Sequence, residues 1–188
     1  MKTLFINACV RPTSRTKRLA EYLLEKLGGE VDEINLEEEG LLPLTNAVLE
    51  RKTELLVREQ FDDPYFKSAN RFKEADRIVV AAPYWDLSFP SMLKVFVENI
   101  CCVGLTFAYD EHDEPYTLCK AKEFYYVTTA GGRMVEPDHG YEYIKSVFDN
   151  FFGIKEGHLI KAEMLDIIGY DAEEILKDTM AKMDEEMK

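Results

Sequence analysis

Apolar runs rich in β-branched residues alternate along the chain with segments in which apolar residues recur every three or four positions. The clearest run is RIVVAA at residues 77–82, which is continuously apolar after its arginine, as is typical of a strand covered on both faces of a sheet. Residues 31–36 alternate in polarity instead, as a strand at or near a sheet edge does. The pattern predicts five strands, at residues 3–8, 31–36, 77–82, 122–129 and 158–164.

Helical periodicity occupies the segments between these strands. In the first helix, leucines between residues 19 and 27 share one face, and the Gly28-Gly29 pair supplies a C-terminal stop. Another helix follows Pro90, which suits a first helical position, with Ser88 as a candidate cap. We also predict helices at residues 46–60, 137–152 and 171–187, and a turn at residues 62–64. The first of these is the single helix expected in the polar region 41–75.

The alternation of strands and helices predicts an α/β fold. Parallel neighbours require crossover connections, which are right-handed and place helices on both faces of the sheet. Five strands in this arrangement point to a flavodoxin-like three-layer sandwich with a parallel sheet in the order 2-1-3-4-5. A length of 188 residues suits one domain, which we expect to span residues 1–188.

Charge narrows the choice of partners. The chain has 36 acidic and 23 basic residues and a formal net charge of −13, so its field repels nucleic acids and anionic membranes. Any bound phosphate must therefore be held by local groups. The cysteines at positions 9, 101, 102 and 119 form no Cys-x-x-Cys pair, so we expect no metal site. No apolar stretch reaches membrane-spanning length, and we expect a cytoplasmic protein.

Three loops should meet at the ligand site of such a sheet. In an open doubly wound sheet the ligand lies beyond the carboxyl ends of the strands, where the strand order reverses. For the order 2-1-3-4-5 this point lies between the first and third strands. The loops expected there are residues 9–16, 83–90 and 129–137.

The first loop offers an anion site. It contains the hydroxyl groups of Ser14 and Thr16, the free N–H groups of a helix start, and the side chains of Arg11 and Arg15. Because no glycine occurs between Met1 and residue 27, the close backbone approach that a diphosphate needs is absent, which favours a mononucleotide. Ordinary N-capping by Ser14 or the preceding threonine is the alternative.

The second and third loops suit a flat ring. Four large apolar side chains crowd the sequence PYWDLSFP at residues 83–90, and they could wall an isoalloxazine ring or a subunit contact. Core packing under a long loop is the alternative. In the third loop, Gly131 and Gly132 permit close backbone approach, and their N–H groups could face a ring carbonyl. A plain turn would also explain this pair.

At these residues the chain resembles the FMN-dependent NAD(P)H azoreductase and quinone reductase family of flavodoxin-like proteins. The resemblance runs through nearly the whole chain and rests on four motifs: Ser14-Arg15-Thr16, Pro83-Tyr84-Trp85-Asp86-Leu87 followed by Leu93-Lys94-Val95-Phe96, Gly104-Leu105-Thr106-Phe107-Ala108-Tyr109, and Thr129-Ala130-Gly131-Gly132.

The resemblance implies FMN as cofactor, NAD(P)H as co-substrate, a quinone or azo compound as acceptor, and a homodimer with flavin sites at its interface. Together with the loop chemistry it assigns FMN binding to Cys9, Arg11, Ser14, Arg15, Thr16, Pro83, Tyr84, Trp85, Asp86, Leu87, Thr129, Ala130, Gly131 and Gly132. It also implies that Phe107 and Tyr109 form a wall of the partner subunit's substrate pocket.

The chain departs from the family pattern in the second loop. Tyr84 stands where methionine is common, Asp86 where asparagine is common, and Leu87 in place of an aromatic residue. A carboxylate beside the ring would disfavour the anionic reduced flavin and lower its potential, unless Asp86 points away from the ring or is protonated.

No catalytic triad or dyad is evident, as expected where the cofactor supplies the chemistry. His139 is a candidate proton donor to the acceptor, with a solvated or capping role as the alternative. Two other functions stay open. A one-electron carrier would suit the acidic surface, although the glycine-containing phosphate loop of true flavodoxins is missing. A regulatory flavoprotein that senses a nucleotide is the third hypothesis.

Overall fold

The computed structural model describes residues 1–187, which form seven strands and six α-helices. The strands are β1 (Lys2–Asn7), β2 (Glu30–Asn35), β3 (Arg77–Ala81), β4 (Phe107–Tyr109), β5 (Pro115–Thr117), β6 (Glu123–Thr129) and β7 (Glu156–Ala162). The helices are α1 (Arg15–Leu27), α2 (Asn46–Val57), α3 (Lys67–Glu74), α4 (Ser91–Ile100), α5 (Tyr141–Phe152) and α6 (Ala172–Glu186). None of these helices is long and apolar enough to cross a membrane.

A parallel five-stranded sheet in the order β2-β1-β3-β6-β7 forms the centre of the molecule. This confirms the predicted order 2-1-3-4-5, with β6 and β7 as the fourth and fifth strands of the sheet. The strand order reverses at β1, because its two neighbours are β2 on one side and β3 on the other.

Both faces of the sheet are buried. Phe5, Val79 and Val127 face a core with buried residues of α1 and α6, whereas Ile6 and Val80 face a second core with residues of α3, α4 and α5. Side chains of adjacent residues in a strand point to opposite faces, so continuous apolar runs are needed where helices cover both sides. This explains why the β3 pattern was the clearest in the sequence.

Helix α1 forms where the sequence predicts a helix. The Ser14 hydroxyl accepts from the Lys17 N–H at 3.2 Å and caps the N-terminus, and Leu19 and Leu23 are fully buried on the inner face. Gly28 ends the helix at φ 61°, a left-handed conformation that glycine adopts without a steric penalty. The first turn is therefore fixed in front of the carboxyl end of β1.

Several predicted details are wrong. The region 41–75 contains a second helix, α3, preceded by a 3-10 turn at Pro64–Phe66. In its eight residues α3 buries Ser68, Ala69 and Phe72, and because Phe72 alone is large and apolar, few hydrophobic positions mark the segment as a helix. The last strand of the sheet, β7, begins and ends two residues before the predicted range 158–164.

The starts of two helices also differ from prediction. Ser88 does not cap α4, because its hydroxyl donates to the His139 carbonyl at 3.2 Å; Pro90 occupies the N-cap position, and the helix begins one residue later. Helix α5 begins at Tyr141 rather than at residue 137. Residues before it form a loop in which Asp138 accepts from the Gly140 N–H at 2.7 Å. The short antiparallel β4–β5 hairpin had no signal in the sequence pattern.

Candidate functional site

A cavity of about 860 Å³ opens at the carboxyl ends of β1, β3 and β6, where the sequence predicted that three loops meet. Its size falls within the range of small-molecule sites. It is lined by Val10, Arg11, Pro12, Thr13, Ser14, Arg15, Thr16, Lys17, Arg18, Glu21, Pro83, Tyr84, Trp85, Thr129, Ala130, Gly131, Leu165, Asp166 and Glu173. The three predicted loops contribute most of this lining.

The first loop combines a helix cap with free backbone donors. A turn closes through the Ser14 N–H, which donates to the Arg11 carbonyl at 3.0 Å, and places Ser14 at the N-cap of α1. The N–H groups of Arg15 and Thr16 have no acceptor within residues 1–187. The capping alternative is thus present, and the N–H donors that an anion would need remain free beside it.

A hydroxyl pair connects the first loop to the third. The side-chain oxygens of Thr16 and Thr129 lie 2.6 Å apart, and Thr16 is only 1% exposed. Thr16 is therefore engaged with the end of β6 through its side chain, and its N–H is the group that remains available. The contact fixes the start of α1 relative to the third loop.

The second loop is a tight turn with an aromatic side chain at its base. Trp85 and Ser88 exchange backbone hydrogen bonds of 2.9 and 2.8 Å, and the two residues between them, Asp86 and Leu87, have φ values of 49° and 68°. Positive φ at both central positions defines a type I′ turn, which strains a non-glycine residue such as leucine more than aspartate. Trp85 lines the cavity, whereas Asp86 and Leu87 are exposed and lie outside its lining.

Hydrogen bonds hold the second loop against the third. The Tyr84 N–H donates to the Thr129 carbonyl at 3.0 Å, and the Tyr84 hydroxyl accepts from the Val135 N–H at 3.3 Å. Pro83 and Tyr84 consequently form the wall of the cavity between β3 and β6.

A fourth segment, which the sequence analysis missed, completes the cavity. Residues 164–166 follow β7 and donate three backbone hydrogen bonds of 2.9–3.2 Å to the carbonyls of residues 130–132. Asp166 lies so close to Gly131 that a Cβ atom at position 131 would collide with the Asp166 Oδ2 atom. The absence of a side chain at Gly131 thus makes room for Asp166, while Gly132 has open space and lies outside the lining.

Two ion pairs connect α1 to residues after β7, one to the 164–166 segment and one to α6. The Arg15 guanidinium donates to Asp166 at 2.8 Å and to the Leu165 carbonyl at 3.2 Å. Arg18 donates to both carboxylate oxygens of Glu173 at 2.8 and 2.6 Å, and these hydrogen bonds hold the pKa of Glu173 below its usual value. A carboxylate in the loop after the strand that neighbours the glycine loop is the signal that could have revealed Asp166.

Cys9 lies behind the first loop. It is buried, its thiol lies 3.7 Å from the Ala81 carbonyl, and burial raises its pKa to about 11. The thiol is therefore protonated near neutral pH and is not among the lining groups.

The remaining candidates lie outside the cavity. His139 is exposed and contributes no lining atom. Phe107 is 5% exposed and packs against Phe151 with ring centroids 4.9 Å apart, so its ring belongs to the core. Tyr109, on the same strand, is 47% exposed, so of these two aromatic residues only Tyr109 is available for contact with a partner or ligand.

The comparisons with known proteins agree with this architecture. Residues 1–187 match the protein family described as having a flavodoxin-like fold. An FMN-dependent NADH:quinone oxidoreductase 2 from Clostridium acetobutylicum is 37% identical over 202 residues, covering 100% of this chain and 98% of that protein. An FMN-dependent NADH:quinone oxidoreductase from Clostridium beijerinckii is 31% identical over 196 residues, with the same coverage.

Solved structures show the same fold. The crystal structure of an azoreductase from Bacillus anthracis has a TM-score of 0.84 at 22% identity, covering 100% of this chain and 98% of that one. An FMN-dependent NADH-azoreductase from the same species, in complex with FMN, has a TM-score of 0.81 at 21% identity, covering 99% and 97%. The chain therefore belongs to the flavodoxin-like protein family that includes FMN-dependent NADH:quinone oxidoreductases, as its motifs predict.

Proposed function

We propose that this protein is an FMN-dependent oxidoreductase that takes hydride from NAD(P)H and delivers it to a quinone or azo acceptor. The observation that carries the proposal is the cavity at the strand-order reversal, in a chain 37% identical over its full length to an FMN-dependent NADH:quinone oxidoreductase. The cofactor, when bound, supplies hydride acceptance and donation at its ring.

The residues of the cavity fit FMN. At one end, the free N–H groups of Arg15 and Thr16 and the positive end of the α1 dipole suit a terminal phosphate. Next to them, the half-exposed Trp85 ring offers a flat apolar wall. The cavity therefore combines an anion site and an aromatic surface, as a phosphorylated aromatic ring requires.

The third loop offers a hydrogen-bond donor at the cavity. The N–H group of Gly131, which lines the cavity, has no acceptor within residues 1–187. Donors of this kind stabilise negative charge that develops on a ring carbonyl. In this proposal the protein orients the ring and its electrostatic surroundings, and no side chain acts as a strong acid or base.

A homodimer and a cytoplasmic location belong to the same proposal. Tyr109 and Tyr116 on the β4–β5 hairpin are 47% and 48% exposed, which supports a contact with a partner subunit. Four free cysteines support a reducing compartment. The net charge of −13 supports small-molecule partners over nucleic acid or an anionic membrane.

The test begins with purified protein titrated with FMN, in which flavin fluorescence should be quenched. NADH or NADPH, added without oxygen, should bleach the visible absorption band of the bound flavin within minutes. Adding a quinone should then restore the colour over repeated turnovers. Absence of FMN binding refutes the proposal. FMN binding without reduction favours the electron carrier or the sensor instead.

A matched pair of variants tests the site. Trp85→Ala should weaken FMN binding by up to about tenfold, because an aromatic pair contributes roughly 0.5–1.5 kcal/mol beyond its buried area. Tyr170→Ala removes another exposed aromatic ring outside the cavity lining and should leave the affinity unchanged. Equal affinities for the two variants would exclude Trp85 as the ring wall.

A further inference from the structure

The two arginines of the first loop differ in whether a carboxylate pairs with their guanidinium group. Arg15 is paired with Asp166 at 2.8 Å, and its guanidinium also donates to the Leu165 carbonyl. Arg11 lines the same cavity, is exposed, and has no ion-pair partner within residues 1–187. Since a paired carboxylate offsets most of the field of a guanidinium, Arg11 presents the larger net attraction to an incoming anion.

The Arg15 pair joins three segments of the cavity. Arg15 begins α1, Asp166 follows β7, and the Asp166 N–H donates to the Gly131 carbonyl at 2.9 Å. The carboxylate occupies the space that a side chain at position 131 would take. Arg15, Asp166 and Gly131 together therefore hold the first loop, the third loop and the segment after β7 in one arrangement.

We propose that the two arginines divide the work of cofactor binding: Arg11 supplies the charge that meets the FMN phosphate, and Arg15 is a positioning residue that acts through Asp166. This inference rests on the proposed function and adds to it the source of the selectivity for a phosphorylated flavin. It departs from the resemblance, which assigns Arg15 to the phosphate, only in the side chain, because the Arg15 N–H remains a proposed phosphate donor.

The two roles predict different effects on two probes. FMN carries the phosphate and riboflavin does not, so the ratio of their dissociation constants isolates the phosphate contribution. Arg11→Gln should lower the preference for FMN about tenfold, the effect of losing one charge-assisted hydrogen bond. Arg11→Lys keeps the charge and should restore most of that preference.

Loss of the Arg15 pair should weaken riboflavin binding, which does not involve the phosphate. Arg15→Gln removes the guanidinium together with the pair, so it should weaken FMN and riboflavin by a common factor and keep the preference within about twofold, the error of independent effects. Asp166→Asn also breaks the pair but unmasks the Arg15 charge, so it should leave the preference for FMN unchanged or raise it. The effects of the two substitutions on riboflavin affinity should not add in the double variant, because either substitution alone breaks the pair. Arg58→Gln, which breaks an exposed pair with Glu54 outside the cavity lining, is the matched control and should leave both affinities unchanged.

The measurement is flavin fluorescence quenching with FMN and with riboflavin for each variant, after circular dichroism has shown that the variant is folded. A change of more than twofold in the preference for Arg15→Gln overturns the proposal, as does a lowered preference for Asp166→Asn or an unchanged preference for Arg11→Gln. Wild-type protein that binds neither flavin refutes the proposed function itself. If the wild-type protein prefers FMN and Arg15→Gln abolishes that preference, only the division of roles between the two arginines is refuted.

Discussion

The hydroxyl pair between Thr16 and Thr129 allows a quantitative test of how the first and third loops are held together. Their oxygens lie 2.6 Å apart, with Thr16 1% exposed and Thr129 half-buried. Valine has nearly the shape of threonine, so Thr16→Val and Thr129→Val each remove one hydroxyl and leave the other without this partner. The two variants differ in where the unpaired hydroxyl remains.

Burial sets the size of each effect. In Thr129→Val the Thr16 hydroxyl is left buried without a partner, so we expect a loss of about 2 kcal/mol in the free energy of unfolding, with a range of roughly 1–3. In Thr16→Val the remaining hydroxyl of Thr129 can reach water, and we expect a loss of about 1 kcal/mol. The double variant leaves no unpaired hydroxyl, and its loss should be smaller than the sum of the two by at least about 1 kcal/mol.

Urea denaturation of flavin-free protein measures these differences. Flavin must be removed because a ligand that binds only the folded state adds its own stabilisation. An unchanged slope of the unfolding free energy against urea concentration would show that the variants expose the same surface when they unfold. The reasoning is refuted if Thr129→Val is no more destabilised than Thr16→Val, or if the double variant equals the sum.

Thr128 provides the matched control. It neighbours Thr129 in β6 and is 1% exposed, but its side-chain oxygen has no hydrogen-bond partner within residues 1–187. Thr128→Val removes a buried hydroxyl that makes no bond, so we expect the protein to be unchanged or more stable by up to about 1 kcal/mol. Destabilisation of this variant would mean that the hydroxyl effects cannot be assigned to the Thr16–Thr129 contact.

Three further predictions concern single side chains. Gly131→Ala should lower the free energy of unfolding by about 1 kcal/mol, because the new Cβ would displace the Asp166 carboxylate. Gly132→Ala, whose Cβ would have nothing within 4 Å, should change it by no more than about 0.5 kcal/mol. Equal losses for the two variants in urea denaturation would contradict this prediction. Hydrogen bonding from Arg71 of α3 lowers the pKa of Asp32, so the stabilisation from this carboxylate is present above its ordinary pKa of 3.8 and is lost as the pH falls through the lower pKa of the folded protein. The loss in free energy of unfolding caused by Asp32→Asn should therefore shrink as the pH falls through this range. A loss that does not change with pH would refute this prediction. Burial raises the pKa of Cys9 from 9.0 to about 11, so at pH 8 the native thiol should react with iodoacetamide about a hundredfold more slowly than the same thiol in unfolded protein. Peptide mass spectrometry measures the two rates. Similar rates would contradict the burial of Cys9.

Local patterns predicted most of the fold. The continuous run of β3 and the leucine spacing of α1 are properties of neighbouring residues, since a strand covered on both faces must be apolar throughout and a helix must bury one stripe. The alternation of these elements then restricts the sheet to a few topologies. The α3 helix escaped prediction because Phe72 is its one large buried apolar residue, and the β4–β5 hairpin because its strands have only three residues each.

The sequence alone also placed the loops that line the cavity, because the carboxyl ends of parallel strands share one edge of the sheet. Only the tertiary structure decided which groups in those loops remain free. Arg15 and Asp166 are 151 residues apart along the chain and meet because β7 lies beside β6, with Thr129 opposite Ala162. Arg11 and Arg15 are chemically the same in the sequence, and the packing of the last strand leaves one unpaired and engages the other.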